Sequence, residues 1–357
     1  MKWLASMLSV SIFFSGVANM ALANDHRGRF EISDSAGTID PEPPLVIRVD
    51  HDSVTCFSRG RDLNLLPQSD YSGIGKFSAR ISPQYRQWID QVQGTLGSRA
   101  MPDRIAMNSG PILGFRFERQ GHSYAGTYDF NYGEQFDNKI SVLYSLARDL
   151  IAHGTPEVKI RPTLAMRSAA DALVVDLTFV NEGAQDVIVD GPHNWSPTLY
   201  FPVAEYVQVG AIGQQDDPDT AGVGFALRLA EAQLSPHSRR YAQEIAVKAG
   251  QSARLEFVVP HSALTFDTDS TARHVKTGHY RVSGTTKFAI RAPSDMTGRV
   301  FTPIDGQTGI ELRAPRQRSR CRELAIAVGA NGLLRGETAP NRYKPPPHIA
   351  LDDAQTV

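Results

Sequence analysis

The sequence predicts a mainly β protein, an α+β amino-terminal domain followed by an antiparallel β-sandwich, and three observations carry that prediction. From Leu173 to Phe179, Leu173, Val175, Leu177 and Phe179 share one face while Val174, Asp176 and Thr178 share the other. That period of two suits a half-buried strand. Similar alternating runs recur as far as Arg291, separated by turn signals such as Asn181-Glu182-Gly183 and Ala249-Gly250-Gln251. Helical spacing, by contrast, is confined to stretches that precede Gly154.

At the amino end, Lys2 precedes an apolar run through Leu4, Met7, Leu8, Val10, Ile12, Phe13 and Phe14, and Ala21-Leu22-Ala23 supplies the small residues of a cleavage site. Residues 1–23 therefore read as a secretory signal peptide. Ser9, Ser11, Ser15 and Asn19 interrupt the run short of the roughly 20 apolar residues that span a bilayer. A periplasmic or secreted bacterial protein with no transmembrane segment after cleavage is expected. Residues 24–44 are polar and carry Pro41, Pro43 and Pro44, which predicts a flexible leader.

The α+β domain is assigned to residues 45–157. Leu45 to Val49 alternates as a strand does, and Asp50-His51-Asp52 follows it ahead of Cys56. Carboxylates around an imidazole can ligate a metal or orient a base, but neighbours along a strand point to opposite faces, so a solvated turn is expected there. Ser82-Pro83 begins a helix with an N-cap and a proline at its first position, and Tyr85, Trp88, Ile89, Val92 and Leu96 then form one apolar face. A second such face runs through Ile140, Leu143, Tyr144, Ala147, Leu150 and Ile151 and ends at His153-Gly154. Both helices are expected to cover a sheet.

Between the helices, Phe115 and Phe117 lie before Gln120-Gly121, and Tyr128, Phe130 and Tyr132 lie after it, which predicts an aromatic hairpin. Tyr128, Tyr132 and Glu134 admit two readings: a buried sheet face, or a platform for a sugar ring or a protein partner. The stretch Gly121-His122-Ser123-Tyr124-Ala125-Gly126 comes close to a nucleophile elbow. Ala125 stands where that elbow needs glycine, and strand-like Thr127 to Tyr132 follows where it needs a helix. Ser123 is expected at a hairpin tip.

Residues 158–293 are assigned to the sandwich. Pro156 to Met166 leads in, Leu173 to Phe179 and Asp186 to Asp190 follow at hairpin distance, and Thr198 to Val209 and Val223 to Leu229 continue. Asp216, Asp217 and Asp219 stand between the last two, but the remaining ligands and central glycine of a calcium loop are missing, so an acidic turn is expected. Tyr241 to Val247 with Leu255 to Val259, and Gly278 to Val282 with Lys287 to Arg291, complete the strands. His193-Asn194-Trp195, between Pro192 and Pro197, occupies a sandwich-end loop, the usual place for recognition residues. An exposed Trp195 and its neighbour His193 are the expected contact residues. The histidines fall at no zinc-ligand spacing, and no metal or cofactor is expected.

The pattern strand-Asn-x-Gly-strand, then Val-x-Ala-Gly-Gln-Ser with an alternating return, then Gly-x-Tyr-x-Val, resembles the immunoglobulin-like modules of bacterial exported proteins over residues 162–291. The resemblance implies a sandwich and transfers no functional residue. The antibody pattern of paired cysteines within the module is missing.

Residues 294–335, with arginines around Cys321 and an apolar Leu324 to Val328, are expected to return and dock on the first domain, and the Pro-rich residues 336–357 to be disordered. An exported chain whose 2 cysteines are Cys56 and Cys321 predicts a disulfide between them.

With 37 basic and 38 acidic side chains among 357 residues, the balance gives no argument for a nucleic-acid partner. No complete nucleophile, metal, phosphate or cofactor motif stands in the sequence. The leading expectation is a non-catalytic binding or accessory protein of the cell envelope, an adaptor, inhibitor or immunity-type protein that recognises a protein partner. Its alternatives are an envelope hydrolase whose site is assembled from distant residues and a glycan-binding protein.

Overall fold

The first sheet takes its strands from β1 (Gly28–Asp34), β2 (Leu45–Val49), β3 (Ser53–Ser58), β4 (Gly75–Arg80), β5 (Pro111–Arg119), β6 (His122–Asp129) and the first half of β7 (Thr155–Ser168). Their spatial order is β6-β5-β1-β2-β3-β4-β7, antiparallel at every pairing. These positions come from a computed structural model, which describes residues 28–34, 43–60, 73–98, 111–130, 138–169, 171–197, 204–266, 277–306 and 309–313. All of them fall within one unit, residues 1–316.

Strand β1 corrects the expected flexible leader. Phe30 and Ile32 alternate with Arg29 and Glu31, and both apolar side chains are buried where β1 lies between β2 and β5. Two inward residues amid polar neighbours are too short a pattern to reveal a strand in sequence.

Helices α1 (Pro83–Leu96) and α2 (Val142–His153) cover one face of this sheet. Ser82 caps α1, its Oγ accepting from the Tyr85 amide at 3.1 Å, and Gly154 follows α2. Ile89 and Val92 of α1 and Leu143 and Leu150 of α2 bury against Phe30, Ile47, Cys56 and Phe77 of the strands. Strands β5 and β6 form the expected hairpin. Gln120 at φ 51° and Gly121 at φ 75° are both left-handed, as a two-residue turn that follows the strand twist requires.

Strand β7 is the joint of the molecule. Thr155 to Lys159 pairs with β4, whereas Ile160 to Ser168 pairs with β8 (Ala172–Asn181), so one strand passes from the first sheet into the second. The chain then supplies β9 (Val187–Asp190), β10 (Tyr206–Gly213), β11 (Gly224–Leu229), β12 (Glu244–Val247), β13 (Ser252–Pro260), β14 (Thr265–Phe266), β15 (Gly278–Ala292), β16 (Gly298–Gly306) and β17 (Gly309–Leu312). The second sheet is β13-β8-β7, with the end of β16 running parallel to β7. The third is organised on β15, with β10 and β9 on one edge and β16 and β17 on the other. Strand β11 extends it beyond β10, and β12 beyond β9.

The second and third sheets face each other as a β-sandwich. Phe179 of β8 meets Phe288 of β15 edge to face, ring centres 5.3 Å apart. Val46, Phe57 and Ile74 from the uncovered face of the first sheet join the same core.

Three sequence expectations change here. Strands β8 and β9 are not a hairpin: β8 pairs with β7 and β13 while β9 pairs with β12 and β15, so the Asn181 turn carries the chain between sheets. Asn181 organises that crossing, donating to the carbonyls of Gln185 at 2.8 Å and Val247 at 3.0 Å and accepting from the Gly183 amide at 3.0 Å. Strands β12 and β13 cross likewise. Gly278 to Val282 and Lys287 to Arg291 are parts of one strand, because Gly284 to Thr286 stay extended and paired with β16. Finally, Gly298–Gly306 and Gly309–Leu312 are strands of the third sheet, while Asp295, Thr297 and Phe301 of the expected return segment contact Lys76 and Arg59 of the first domain. Leu324 to Val328, Cys321 and residues 336–357 lie outside the described residues.

Candidate functional site

Alternation in β10, β11 and β15 sends Val207, Val209, Phe225, Leu227, Val282 and Phe288 into the core. The residues between them form the outer face of the third sheet. The register aligns them in rows across three strands: Arg228–Gln208–Thr285, then Ala226–Gly210–Ser283, then Gly224–Ile212–Arg281. The middle row is a shallow trough of small side chains. A Cβ added at Gly210 would meet only the Ser283 Oγ, at 3.7 Å. Beside the trough, Ile212 stands 66% exposed, more than Val258 at 39%, the other large hydrophobic side chain exposed among the described residues.

At the other side of the trough, the Arg228 guanidinium lies over the Tyr206 ring, 3.6 Å from its centre, and Phe301 meets Tyr206 edge-on at 6.4 Å. Arg228 is only 9% exposed. Its Nε and Nη1 are buried and have no hydrogen-bond partner among the described residues. Burial lowers the pKa of Arg228 and raises that of Tyr206.

Farther along the same sheet, Arg291 donates to Asp190 through Nε at 2.7 Å and Nη2 at 2.5 Å. The Glu205 carboxyl is buried near Asp190, and its Oε2 has no hydrogen-bond partner among the described residues. Desolvation first, then the neighbouring charge of Asp190, pushes Glu205 up to about 7. A carboxyl pair with one raised member is a known acid–base arrangement, but here Arg291 occupies both oxygens of Asp190.

The residues expected from sequence are placed differently. Trp195, expected exposed, is 3% exposed; it stacks on Phe257 with ring centres 6.1 Å apart and donates Nε1 to the Asp190 carbonyl at 3.2 Å. The loop folds inward because its proline-flanked turn closes over the end of the core. His193 is exposed and its Nδ1 lies 2.8 Å from Glu231. Tyr128 is buried against Phe130 in the helix-covered core, as the buried-face reading required, and Tyr132 and Glu134 lie outside the described residues. Ser123 follows the hairpin turn in β6, exposed and paired across the strands with Glu118. Asp217 accepts from the amides of Asp219 at 3.0 Å and His279 at 2.8 Å, so it ties the acidic loop to β15. Among the described residues no group of three or more His, Cys, Asp or Glu side chains is placed to hold a metal ion, and no helix is long and apolar enough to cross a membrane. Cys56 is fully buried in the helix-covered core, and Cys321, its expected disulfide partner, lies outside the described residues.

Sequence reasoning missed Arg228 and Glu205. An arginine at an outward position of an alternating strand looks like any solvated charge, and nothing in Phe225-Ala226-Leu227-Arg228-Leu229 signals that the guanidinium is covered.

No protein-family model and no curated protein matches the chain. Among solved structures, the chain is similar to a protein assigned as ApaA from Bordetella pertussis, at 10% identity and a TM-score of 0.25, over 44% of this chain and 96% of that one. It is also similar to the β-glucosidase DesR from Streptomyces venezuelae, at 16% identity and a TM-score of 0.19, over 43% of this chain and 16% of the enzyme. A β-glucosidase from Listeria innocua matches at 13% identity and a TM-score of 0.19, over 44% of this chain and 17% of the enzyme.

Proposed function

We propose that this chain is a non-catalytic binding or accessory protein of the bacterial cell envelope that recognises a protein partner through the outer face of its third sheet. The observation that carries the reading is Ile212, 66% exposed beside the Gly210–Ala226–Ser283 row and next to Arg281. An exposed aliphatic side chain on a flat floor with arginine at its rim is the composition of a protein interface. In the same reading the chain is exported, with cleavage after Ala23, and the sandwich is an immunoglobulin-like module used for recognition. The hydrolase alternative has less support, because Arg291 engages both oxygens of Asp190 in the carboxyl pair with Glu205. The glycan alternative loses Tyr128 to the core.

The test is cross-linking of the tagged protein in the source cell's envelope, run beside Ile212→Lys. A stoichiometric protein partner captured by the native chain and reduced about tenfold by the variant is the expected result. No protein partner, or equal capture by both chains, overturns the reading.

A further inference from the structure

Beyond that reading, we infer that the outer edge of β6 in the first sheet, Ser123 to Thr127, pairs with the same edge of a second copy of this chain, antiparallel about a two-fold axis at Ala125.

The edge is open and lacks the features that keep sheet edges apart. Strand β6 bonds to β5 on one side, and among the described residues no strand pairs with its other side. His122, Ser123, Ala125, Gly126 and Thr127 are exposed, and that exposure ends at the buried Tyr128. Sheet edges normally carry a charge, a proline or a bulge that blocks a further strand. Ser123 to Tyr128 has none of these: no residue in it is charged or proline, and the register with β5 runs unbroken from Ile112–Asp129 to Arg119–His122. The hairpin also fixes which backbone groups are offered. A two-residue turn is closed by a hydrogen-bonded pair, here Arg119 and His122, and inward bonding then recurs at every second residue. Tyr124, Gly126 and Tyr128 therefore bond to β5, while Ser123, Ala125 and Thr127 turn their N–H and C=O groups to solvent.

A second copy is the occupant that meets this edge. The outward residues are symmetric about Ala125, so an antiparallel copy sets Ser123 opposite Thr127 and Ala125 opposite itself, with about six hydrogen bonds between the chains. Side chains agree with that register. On the helix-covered face Tyr124, which stacks on Phe117, comes opposite Gly126 of the other copy, where a missing side chain leaves room for the ring. On the other face only Ser123, Ala125 and Thr127 meet. Charge is compatible as well: the nearest charged residues of that face, Arg116 and Glu118, stand back on β5. The two Arg116 side chains start three strand spacings apart, about 14 Å, beyond the screening length at physiological salt, and each lies diagonal to Glu118 of the other copy. An edge of this length buries less than the roughly 1,200 Å² of a stable interface, so the association is weak and concentration-dependent.

The test is sedimentation velocity of the chain from Asn24 to Val357 at about 1 µM and about 100 µM. The native chain is expected to be monomeric at the lower concentration and largely dimeric at the higher. Ala125→Lys sets like charges against each other on the axis and should stay monomeric at both, with an unchanged melting temperature at low concentration because the side chain is exposed. Ser123→Lys should weaken the dimer, and adding Thr127→Glu should restore it. Those two positions face each other across the axis but lie about 13 Å apart along one strand, so the rescue acts only between chains. Ile212→Lys should dimerise as the native chain does, which separates this edge from the face proposed for the protein partner. A native chain that stays monomeric at about 100 µM overturns the second copy and leaves the edge to an extended segment of another protein. A dimer that Ala125→Lys leaves intact, or that Ile212→Lys dissolves, overturns pairing at β6. Failure of Thr127→Glu to restore association overturns the axis at Ala125.

Discussion

The buried carboxyl of Glu205 feels the charge of Asp190, a residue that Arg291 grips through both Nε and Nη2. The three residues come from the start of the β10 segment, the end of β9 and the end of β15, so the cluster ties three neighbouring parts of the third sheet. Its weak member is Glu205, raised to about 7 by burial and by the charge of Asp190.

A pH dependence follows from that shift. An unfolded glutamate titrates near 4.3, so between about 4.3 and 7 the folded chain holds a proton that the unfolded chain has lost. The stabilisation is therefore complete below the unfolded value and declines as pH rises through the folded one, by at most roughly 4 kcal/mol. Glu205→Gln keeps a neutral hydrogen-bonding group at every pH. Urea unfolding at pH 4.5, 6 and 8 should show the variant gaining on the native chain as pH rises. Parallel curves would exclude a proton shared at this site.

Trp195 is a core residue, and its truncation tests that placement directly. The ring stacks on Phe257 and its Nε1 donates to the Asp190 carbonyl. Trp195→Ala removes both and opens a large cavity, a change that costs about 3–5 kcal/mol in well-packed interiors. A melting temperature within a few degrees of the native value would return Trp195 to the surface, where its sequence context suggested it belonged.

How far the fold was legible in sequence depended on how local each signal was. Ser82-Pro83 and Gln120-Gly121 encode their structure within a few residues and appear as read; the Leu173 to Phe179 alternation forms its strand, but Val174 and Asp176 on the face expected to be solvated are buried as well. Pairing is not local. The runs on either side of Asn181 look like hairpin partners because nothing in the turn says which sheet the second run joins; that choice is made by Val247 and Gln185, whose carbonyls the Asn181 amide holds. The candidate site was hidden for a related reason. Arg228 and Ile212 sit at ordinary outward positions of β11 and β10, and only the assembled sheet shows the charge covered and the aliphatic side chain bare.

Gly75 marks the joint between the first sheet and the sandwich. A Cβ there would lie 2.0 Å from the Val158 carbonyl oxygen, on the strand that continues into the second sheet. The contact is with backbone, which no rotamer change relieves. Gly75→Ala should therefore destabilise by about 3 kcal/mol, at the upper end of overpacking effects. Gly121→Ala is the comparison, since it has nothing within 4 Å and differs only in its φ of 75°. Thermal unfolding that ranks the Gly121 variant as the less stable of the two would contradict the close approach of β4 and β7.

Cys56 separates two states of the chain by simple chemistry. It lies on β3, fully buried beneath the helices in the core that holds Ile47 and Phe77, and burial alone pushes its thiol up to about 12. At pH 8 only about one molecule in 10⁴ then carries the thiolate that reacts with an alkylating reagent. The native chain should leave Cys56 unlabelled over hours. Denaturant without reductant exposes the side chain and restores an ordinary thiol, so labelling should become complete and a tryptic peptide containing Cys56 should carry the adduct. A bond to Cys321 gives the opposite record: no label in denaturant alone, and label at both cysteines after reduction. That second record would replace the free thiol by a covalent tie between β3 and the segment beyond Arg313.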